Sequence, residues 1–560
     1  MSAGRASAII ASGTMVSRLL GFVKAVMLAA ALGQSGSQVA ATFGLANQLP
    51  NNVYALVAGG VMSAVLVPQI VKASKAADGG ESYVSKIVTL GGTVFLLLTI
   101  IATIAAPVLV NVYAVSNGDS GFTRDQMALA IALAYWCMPQ ILFYAIYTLL
   151  GEIYNARSQF GPYTWAPVAN NIIAIAGLGV FMLVFGEAGT NELIDVWDAD
   201  RITALGLITT GAVAVQALVL VLFFRKTGMR FRLDFGWRGV GLRTTGRAAM
   251  WLFGIVIIGQ LKGVVQSRVA SLGDGANILT MQNAWYVFSL PHSIIAVSIA
   301  IAYFTRMSHH ANDGEFGRIR TDLSGALRGV GMLTTISAIM LAVVAPPFAR
   351  LFERGYEGSM AMSWVIWAFL LCAVAFSAEY VIQRVFFSLG DTRTAFIWAC
   401  FSLFVTLGLL WWASTLPTEW VVAGTALAVS IANLISATVW LVLVRRKIGP
   451  FGFRLVAWRH VQYLAYALVA GAAGFGVVWL MGGYVDGGFG TFSKPAGALT
   501  CAVAGIVMAA IYFGLLYLTR NPDFRSTVEL VLARFRRGGR NGNGNGNGDG
   551  SSTPGDLDPV

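Results

Sequence analysis

The chain is a succession of apolar runs, each long enough to cross a bilayer, separated by short polar loops. A hydrocarbon core about 30 Å thick takes about 20 consecutive apolar residues of helix. Runs of that length occupy 7–32, 37–71, 85–115, 126–152, 161–186, 202–224, 246–271, 276–305, 325–352, 360–388, 393–415, 419–444, 459–482 and 495–519. No soluble core absorbs so many: of 560 residues 57% are hydrophobic and 11% charged, where soluble domains carry about 25% charged. Backbone polar groups in hydrocarbon must be bonded within their own segment, which requires helices. The expected fold class is therefore an all-α polytopic membrane protein of about fourteen transmembrane helices. The second run is too long for one straight span. Pro50 removes a backbone N–H and bends the helix, and Asn47, Gln48, Asn51 and Asn52 beside it are placed to bond the freed groups or line a cavity. The first run resembles a signal peptide, but it continues through Arg18 and Lys24 to Leu32, too long and too charged to be one, and it reads as the first membrane helix.

Net charge is +12, a value that could point to nucleic acid, but its placement points to a membrane. Lys and Arg gather in alternate loops: Arg5; Lys72 and Lys75; Arg157; Arg225 to Arg243; Arg306 to Arg320; Arg393; Arg445 to Arg454; and Arg534 to Arg540. The intervening loops are poor in both, and one is acidic (Glu187, Glu192, Asp195, Asp198, Asp200). Cytoplasmic loops carry the Lys/Arg excess, so both termini are expected in the cytoplasm. Cys137, Cys372, Cys400 and Cys501 lie inside apolar runs without ligand spacing and read as free thiols. Residues 541–559, rich in Asn-Gly repeats, read as a disordered tail. Val528–Arg537 before it reads equally as a short surface helix or a solvated basic cluster.

The costly residues lie inside the runs. Arg18 stands eleven residues into the first, about 16 Å along a helix, where insertion costs about 2.5–3.5 kcal/mol. Lys24 follows six residues later, with Gly21 between them, and the seventh run repeats the spacing with Lys262 and Arg268. If the first six and next six helices are copies of one unit, these are corresponding helices of two lobes, and transporters of that kind hold substrate between the halves. The alternative is that each cation pairs with an intramembrane carboxylate. Glu379 is the clearest candidate, with Arg384 its expected partner, and no Asp reads as lying inside a span. Mid-membrane charge is thus biased positive, which suits an anionic substrate. His309-His310 reads as a solvated loop pair, and His292 after Pro291 as packing or cavity-facing. There is no phosphate-binding loop, zinc motif or catalytic triad, so no cofactor or metal is expected and the chain reads as a transporter rather than an enzyme. Transport would then draw on a gradient, the membrane potential or consumption of the product.

Several motifs together resemble one family. Ser17-Arg18-Leu19-Leu20-Gly21-Phe22-Val23-Lys24 is similar to S-R-x-L-G-F-x-R/K; Leu49-Pro50-Asn51, Gly60, Ser63 and Val67-Pro68 to L-P-N…G-x-x-S-x-x-x-V-P. Asn155-Ala156, Phe160, Pro162, Ala166-Pro167 and Asn170 resemble N-A-x-x-x-F-x-x-P-x-x-A-P-x-x-x-N, and Phe386 to Thr394 resembles F-Y-x-L-G-D-T-R/K-T. These are motifs of the MurJ (MviN) lipid II flippases of the multidrug/oligosaccharidyl-lipid/polysaccharide exporter superfamily, and the run Ala46–Asn52 is most similar to actinobacterial members. The resemblance implies two six-helix lobes (1–230 and 231–450) around a cationic cavity, two further helices (451–520) forming a groove for the polyprenyl tail, and a basic segment and tail (521–560). It implies lipid II as substrate, the cytoplasmic membrane as location, contact with membrane lipids, and cell-wall synthesis or division proteins as further partners. Arg18 and Lys24 match the family's cavity cations, and Asn47, Asn51, Lys262 and Arg268 complete the candidate substrate-binding set. Other family charges are absent: neutral residues stand at Val53-Tyr54-Ala55, Gly59, Trp285-Tyr286 and Ala40-Ala41. Lys262 is expected to replace the missing second-lobe cation, and sodium coupling through carboxylates finds no basis. Export of another polyprenyl-linked glycan, drug antiport, and a non-transporting scaffold for cell-wall enzymes stay open.

Overall fold

The computed structural model describes residues 3–34, 37–58, 73, 78–117, 120–157, 159–236, 246–273 and 277–525. Apart from a two-residue hairpin pairing Ser116–Asn117 with Ser120–Gly121, the regular structure of these residues is helical. Helices of eight residues or more are α1 (Ala3–Leu32), α2 (Gln38–Ala58), α3 (Glu81–Ile104), α4 (Ala106–Tyr113), α5 (Arg124–Cys137), α6 (Gln140–Ala156), α7 (Phe160–Phe185), α8 (Ala199–Leu222), α9 (Gly246–Ala270), α10 (Ile278–Pro291), α11 (Val297–Asn312), α12 (Phe316–Val343), α13 (Tyr356–Leu370), α14 (Ala373–Ser388), α15 (Thr392–Ser414), α16 (Thr418–Ile448), α17 (Phe453–Leu480) and α18 (Lys494–Leu518).

Among the described residues twelve segments are long and apolar enough to cross a membrane, and the pair α13–α14, bent by 42°, makes thirteen. The expected fourteen is not established, because the run at 37–71 is described as helix only over Gln38–Ala58, with Pro50 inside it. Two spans are composites: α5 and α6 join into Arg124–Asn155, and α10 and α11 join through a π turn at His292–Ala296. Large apolar side chains such as Leu183, Phe404 and Leu480 are exposed, as a surface facing lipid permits. The second half of the L-P-N…V-P motif, the loop at Arg238 and Arg243, the candidate surface helix Val528–Arg537 and the tail lie outside the described residues.

In the first half α7 packs between α1 and α8, α6 against α3 and α8, and α5 against α2. In the second, α9 packs on α15, α15 on α16, α16 on α13 and α14, and α12 on α11 and α14. Helix α12 also carries α17, which carries α18. The halves meet mainly where α2 touches α9 and α10 and where α4 touches α9.

That junction is polar and buried. Gln48 donates to Ser267 Oγ at 2.6 Å and accepts from Gln282 at 3.1 Å. Gln282 also donates to the Gly44 carbonyl at 3.0 Å, and a Cβ on Gly44 would lie 3.1 Å from the Leu279 nitrogen. Gln34 donates to Glu353 at 3.0 Å and accepts from Asn283 at 2.5 Å. Asn277 accepts from the Leu279 and Thr280 amides at 2.9 and 3.1 Å and donates to the Gln34 and Ser37 carbonyls. The bonds of Gln34 and Asn277 lie at the end of the bundle where α1 finishes and α2 and α10 begin, and those of Gln48 lie about 15 Å further along α2.

Three expectations about charge are corrected. Arg384 is not the partner of Glu379: its guanidinium lies 4.2 Å from the Tyr380 ring centre and faces Phe304 and Phe387 as well. The five-residue spacing puts the two side chains about 140° apart around the helix. An Asp does lie inside a span, since Asp322 is buried in α12. Arg306 at 2.7 Å pairs with it, and His310 bridges Asp322 and Glu315 at 3.6 and 3.0 Å rather than being a solvated loop residue. The four cysteines are free.

Asn277 both caps α10 and ties it to the α1–α2 turn. Asn277→Ala should lower stability by about 1–3 kcal/mol, read as a lower thermal midpoint of the detergent-solubilised protein; an unchanged midpoint would show that these bonds do not hold the junction.

Candidate functional site: a polar cavity beside Arg18

Helix α1 runs from Ala3 to Leu32 and carries both cations, Arg18 and Lys24, six residues or about 9 Å apart along its axis.

Arg18 is fixed from two sides. Its Nη1 donates to Ser293 Oγ, and its carbonyl accepts from the Tyr286 hydroxyl at 3.0 Å. Ser293 belongs to the π turn that follows Pro291. Proline supplies no N–H to the helix ladder, and a wider turn redirects the side chains that follow it. Tyr286 approaches so closely because position 21 is glycine: a Cβ there would stand 2.9 Å from the Tyr286 oxygen. Near Trp285-Tyr286, where the resemblance implies an arginine, this chain places a tyrosine that holds the α1 backbone. On the other side Asn171 donates to the Ser17 carbonyl at 2.8 Å.

Next to this tie is a cavity of about 380 Å³. It is lined by Thr14, Ser17 and Arg18 from α1, Tyr147 and Asn155 from α6, and Phe160, Tyr163, Thr164 and Pro167 from α7. Two motifs far apart in sequence converge here, since Asn155, Phe160 and Pro167 belong to the N-A…F…P…A-P pattern. Tyr147 and Tyr163 stack with ring centres 5.3 Å apart. The lining holds a guanidinium and neutral donors and no carboxylate. Such a set offers hydrogen bonds and charge to an anion, and the nearby carboxylate of Glu152 acts on Tyr163 from outside the lining.

The other candidates are placed apart. Lys24 is half-buried and has no ion-pair or hydrogen-bond partner among the described residues. Asn47 is half-buried and Asn51 exposed on α2, a helix that packs on α5, α6, α9 and α10. Lys262 donates to Ser402 Oγ at 2.7 Å within the second half. Glu379 accepts from Ser436 and Gln383 at 2.9 and 3.0 Å and lies within electrostatic reach of Lys262, so the alternative of a cation compensated by an intramembrane carboxylate applies to Lys262. Arg268 donates to the Asn111 and Val112 carbonyls at 3.0 and 3.2 Å, where the end of α4 presents unpaired carbonyls to a cation. It ties the halves at their junction instead of facing the cavity. Sequence reasoning missed Tyr286, Ser293, Tyr147 and Tyr163; only the Pro291 signal pointed near Ser293. The Phe386–Thr394 motif proves structural. Asp391 caps α15 through the Thr394 amide at 3.1 Å and pairs with Lys447 at 2.7 Å. Burial works against the Asp391 charge, but Lys447 and Thr394 hold its carboxyl below the usual range.

The chain matches, over residues 28–499, the model of a family described as lipid II flippase MurJ. A probable lipid II flippase MurJ of Rhizobium meliloti (strain 1021) is 25% identical over 92% of this chain and 94% of its own length. The corresponding protein of Haemophilus influenzae is 23% identical over 83% and 90%. Among solved structures, a lipid II flippase MurJ in an inward closed conformation aligns with a TM-score of 0.67 and 20% identity, covering 91% of this chain and 99% of that one. An inward-facing transporter of the multidrug resistance MATE family aligns at 0.61 and 14%, covering 78% and 95%.

The contact at Gly21 yields a two-step expectation. Gly21→Ala should cost about 1–3 kcal/mol by overpacking against Tyr286, and Tyr286→Phe, which removes the obstructing oxygen, should recover part of that loss in the double variant. Thermal unfolding of the four proteins measures the coupling, and additive losses would mean that Gly21 does not serve this approach.

Proposed function

We propose that this chain, which belongs to the lipid II flippase MurJ family, moves lipid II across the cytoplasmic membrane, holding the anionic head group at Arg18. The observation that carries this reading is a guanidinium at membrane depth with a hydroxyl partner and no carboxylate, beside a cavity of neutral donors. Arginine has five N–H donors in a planar fork. Those not given to Ser293 match pyrophosphate oxygens in charge and geometry, and charge-assisted bonds of this type are about twice as strong as neutral ones.

The halves are joined at the end where α1 finishes, and the cavity lies toward the other end, which carries the basic loops. With those loops and both termini in the cytoplasm, the cavity opens to the leaflet where an intracellular precursor is presented. Residues 1–230 and 231–450 act as two lobes that rock about α2, while α17 and α18 guide the polyprenyl tail. Lys24 and Lys262 extend the positive path, with Asn47 and Asn51 as neutral donors along α2. Arg268 is a tie that must release when the closed end opens. No covalent step is required, and cell-wall synthesis or division proteins act downstream. Antiport of cationic drugs fits less well, because the cavity lining holds no carboxylate; a flippase for another polyprenyl-linked glycan uses the same cation.

In cells depleted of their own flippase, Arg18→Ala should fail to restore growth while lipid-linked precursor accumulates on the cytoplasmic leaflet, and Arg18→Lys should restore it in part. Normal growth with Arg18→Ala, or loss of growth without precursor accumulation, would end the transport reading. Lys262→Ala is expected to reduce rescue by about tenfold, the scale of one charge-assisted contact; full rescue would remove Lys262 from the path.

A further inference from the structure

A second cavity, of about 1100 Å³, lies in the first half between α3, α6, α8 and the segment that follows α8. Its apolar wall includes Val88 and Leu96 of α3, Leu149 of α6 and Val221 of α8, and its rim carries Arg225, Arg230 and Arg232. The wall is continuous with lipid-facing surface, because Leu96 and Val221 are about half exposed.

The segment after α8 gives the cavity its form. Gly228, at φ 78°, reverses the chain, and residues 229–236 then run extended alongside α3. The amides of Arg230, Arg232 and Asp234 donate to Glu81, Ser85 and Thr89 at 3.1, 3.2 and 3.1 Å. The match is metric: two extended residues advance about 6.7 Å, and one four-residue step along a helix advances about 6 Å. Helix α3 thus satisfies alternate amides of a non-helical strap for two turns from its start, about 12 Å. The strap alternates apolar and polar residues in sequence, and Arg230, Phe231, Arg232 and Leu233 are all exposed and line the cavity. Two adjacent glycines divide the work on α3. A Cβ on Gly91 would strike Leu149 at 2.7 Å, so that glycine lets α6 approach. A Cβ on Gly92 would meet nothing within 4 Å, so that glycine keeps the cavity floor open.

We propose that this groove holds one anionic glycerophospholipid of the adjoining leaflet, its phosphate at Arg225, Arg230 and Arg232 and an acyl chain along Gly92 and Leu96. Charge complementarity selects the head group, since three arginines at the surface end of an apolar cleft match an anionic lipid. The open apolar wall selects a chain already in the bilayer over a soluble anion. The site is separate from Arg18 and from α17–α18, and it stands whether or not the chain flips lipid II.

The test is native mass spectrometry of the purified full-length protein, titrated with phosphatidylglycerol and with phosphatidylcholine of identical chains. One phosphatidylglycerol should stay bound, favoured by about tenfold or more over phosphatidylcholine, the scale of a few charge contacts. Arg225→Gln/Arg230→Gln/Arg232→Gln should erase that preference, and Gly92→Phe, which leaves the charges in place, should erase the adduct. Equal retention by the variants, equal binding of both lipids, or displacement of the adduct by a polyprenyl phosphate alone would overturn the proposal. If a variant does not fold, phosphatidylglycerol with a photoactivatable acyl chain is used on the unaltered protein. Labelling within 88–96 or 146–150 supports the groove, and labelling confined to α17–α18 refutes it.

Discussion

Inside a bilayer water is absent, so each polar group placed there must find its partner in the protein, and the tertiary arrangement follows from where those partners are. Helices satisfy their own backbones; what remains is side chains and irregular backbone. Gln34, Gln48, Asn277, Asn283 and Gln282 satisfy one another across the two halves and so determine where the halves touch. At the surface end of the bundle the strap at 229–236 likewise gives alternate amides to Glu81, Ser85 and Thr89, acceptors that α3 supplies at the matching interval.

Much of this fold was legible because hydropathy is a one-dimensional signal. A run of apolar residues of span length reads as a membrane helix without knowledge of its neighbours, and the segments at 161–186, 202–224, 393–415 and 495–519 agree with α7, α8, α15 and α18 to within a few residues. Arg18 was legible for the same reason, as a charge whose insertion cost demands an explanation. Its partners were not. Tyr286 and Ser293 are ordinary residues in an apolar run, and their relation to Arg18 depends on Gly21 and on a π turn after Pro291. Arg268 was legible only as a spacing: its distance in sequence from Lys262 matches that of Arg18 and Lys24, while its contact with the backbone carbonyls at the end of α4 was not.

The positive charges differ in how they are compensated, and that sorts their roles. Arg306 and Arg328 pair with Asp322 and Asp523 at 2.7 and 2.6 Å, so little of their charge is left to attract a ligand. Arg268 spends its donors on α4. Lys262, bonded to Ser402 Oγ, also lies in the field of Glu379, whereas Arg18 has a hydroxyl partner, which orients a cation without neutralising it. Such an arrangement keeps the side chain in a defined position while leaving its field available to a diffusing anion.

The junction between the halves is made largely of neutral amide contacts, and this bears on how the protein changes state. A hydrogen bond between side chains within a membrane contributes about 0.6 to 2 kcal/mol, because alternative partners are found when it breaks. A few such bonds therefore join the halves by an amount comparable with what an anion bound as proposed at Arg18 would return through charge-assisted bonds. A ligand shifts a two-state equilibrium only through its difference in affinity for the two states. Arg18 is suited to produce that difference, since its bond to Ser293 crosses from α1 to the π turn of the second half. On the proposed reading, an anion that captured the guanidinium would compete for this tie and so couple binding to the relative position of the halves.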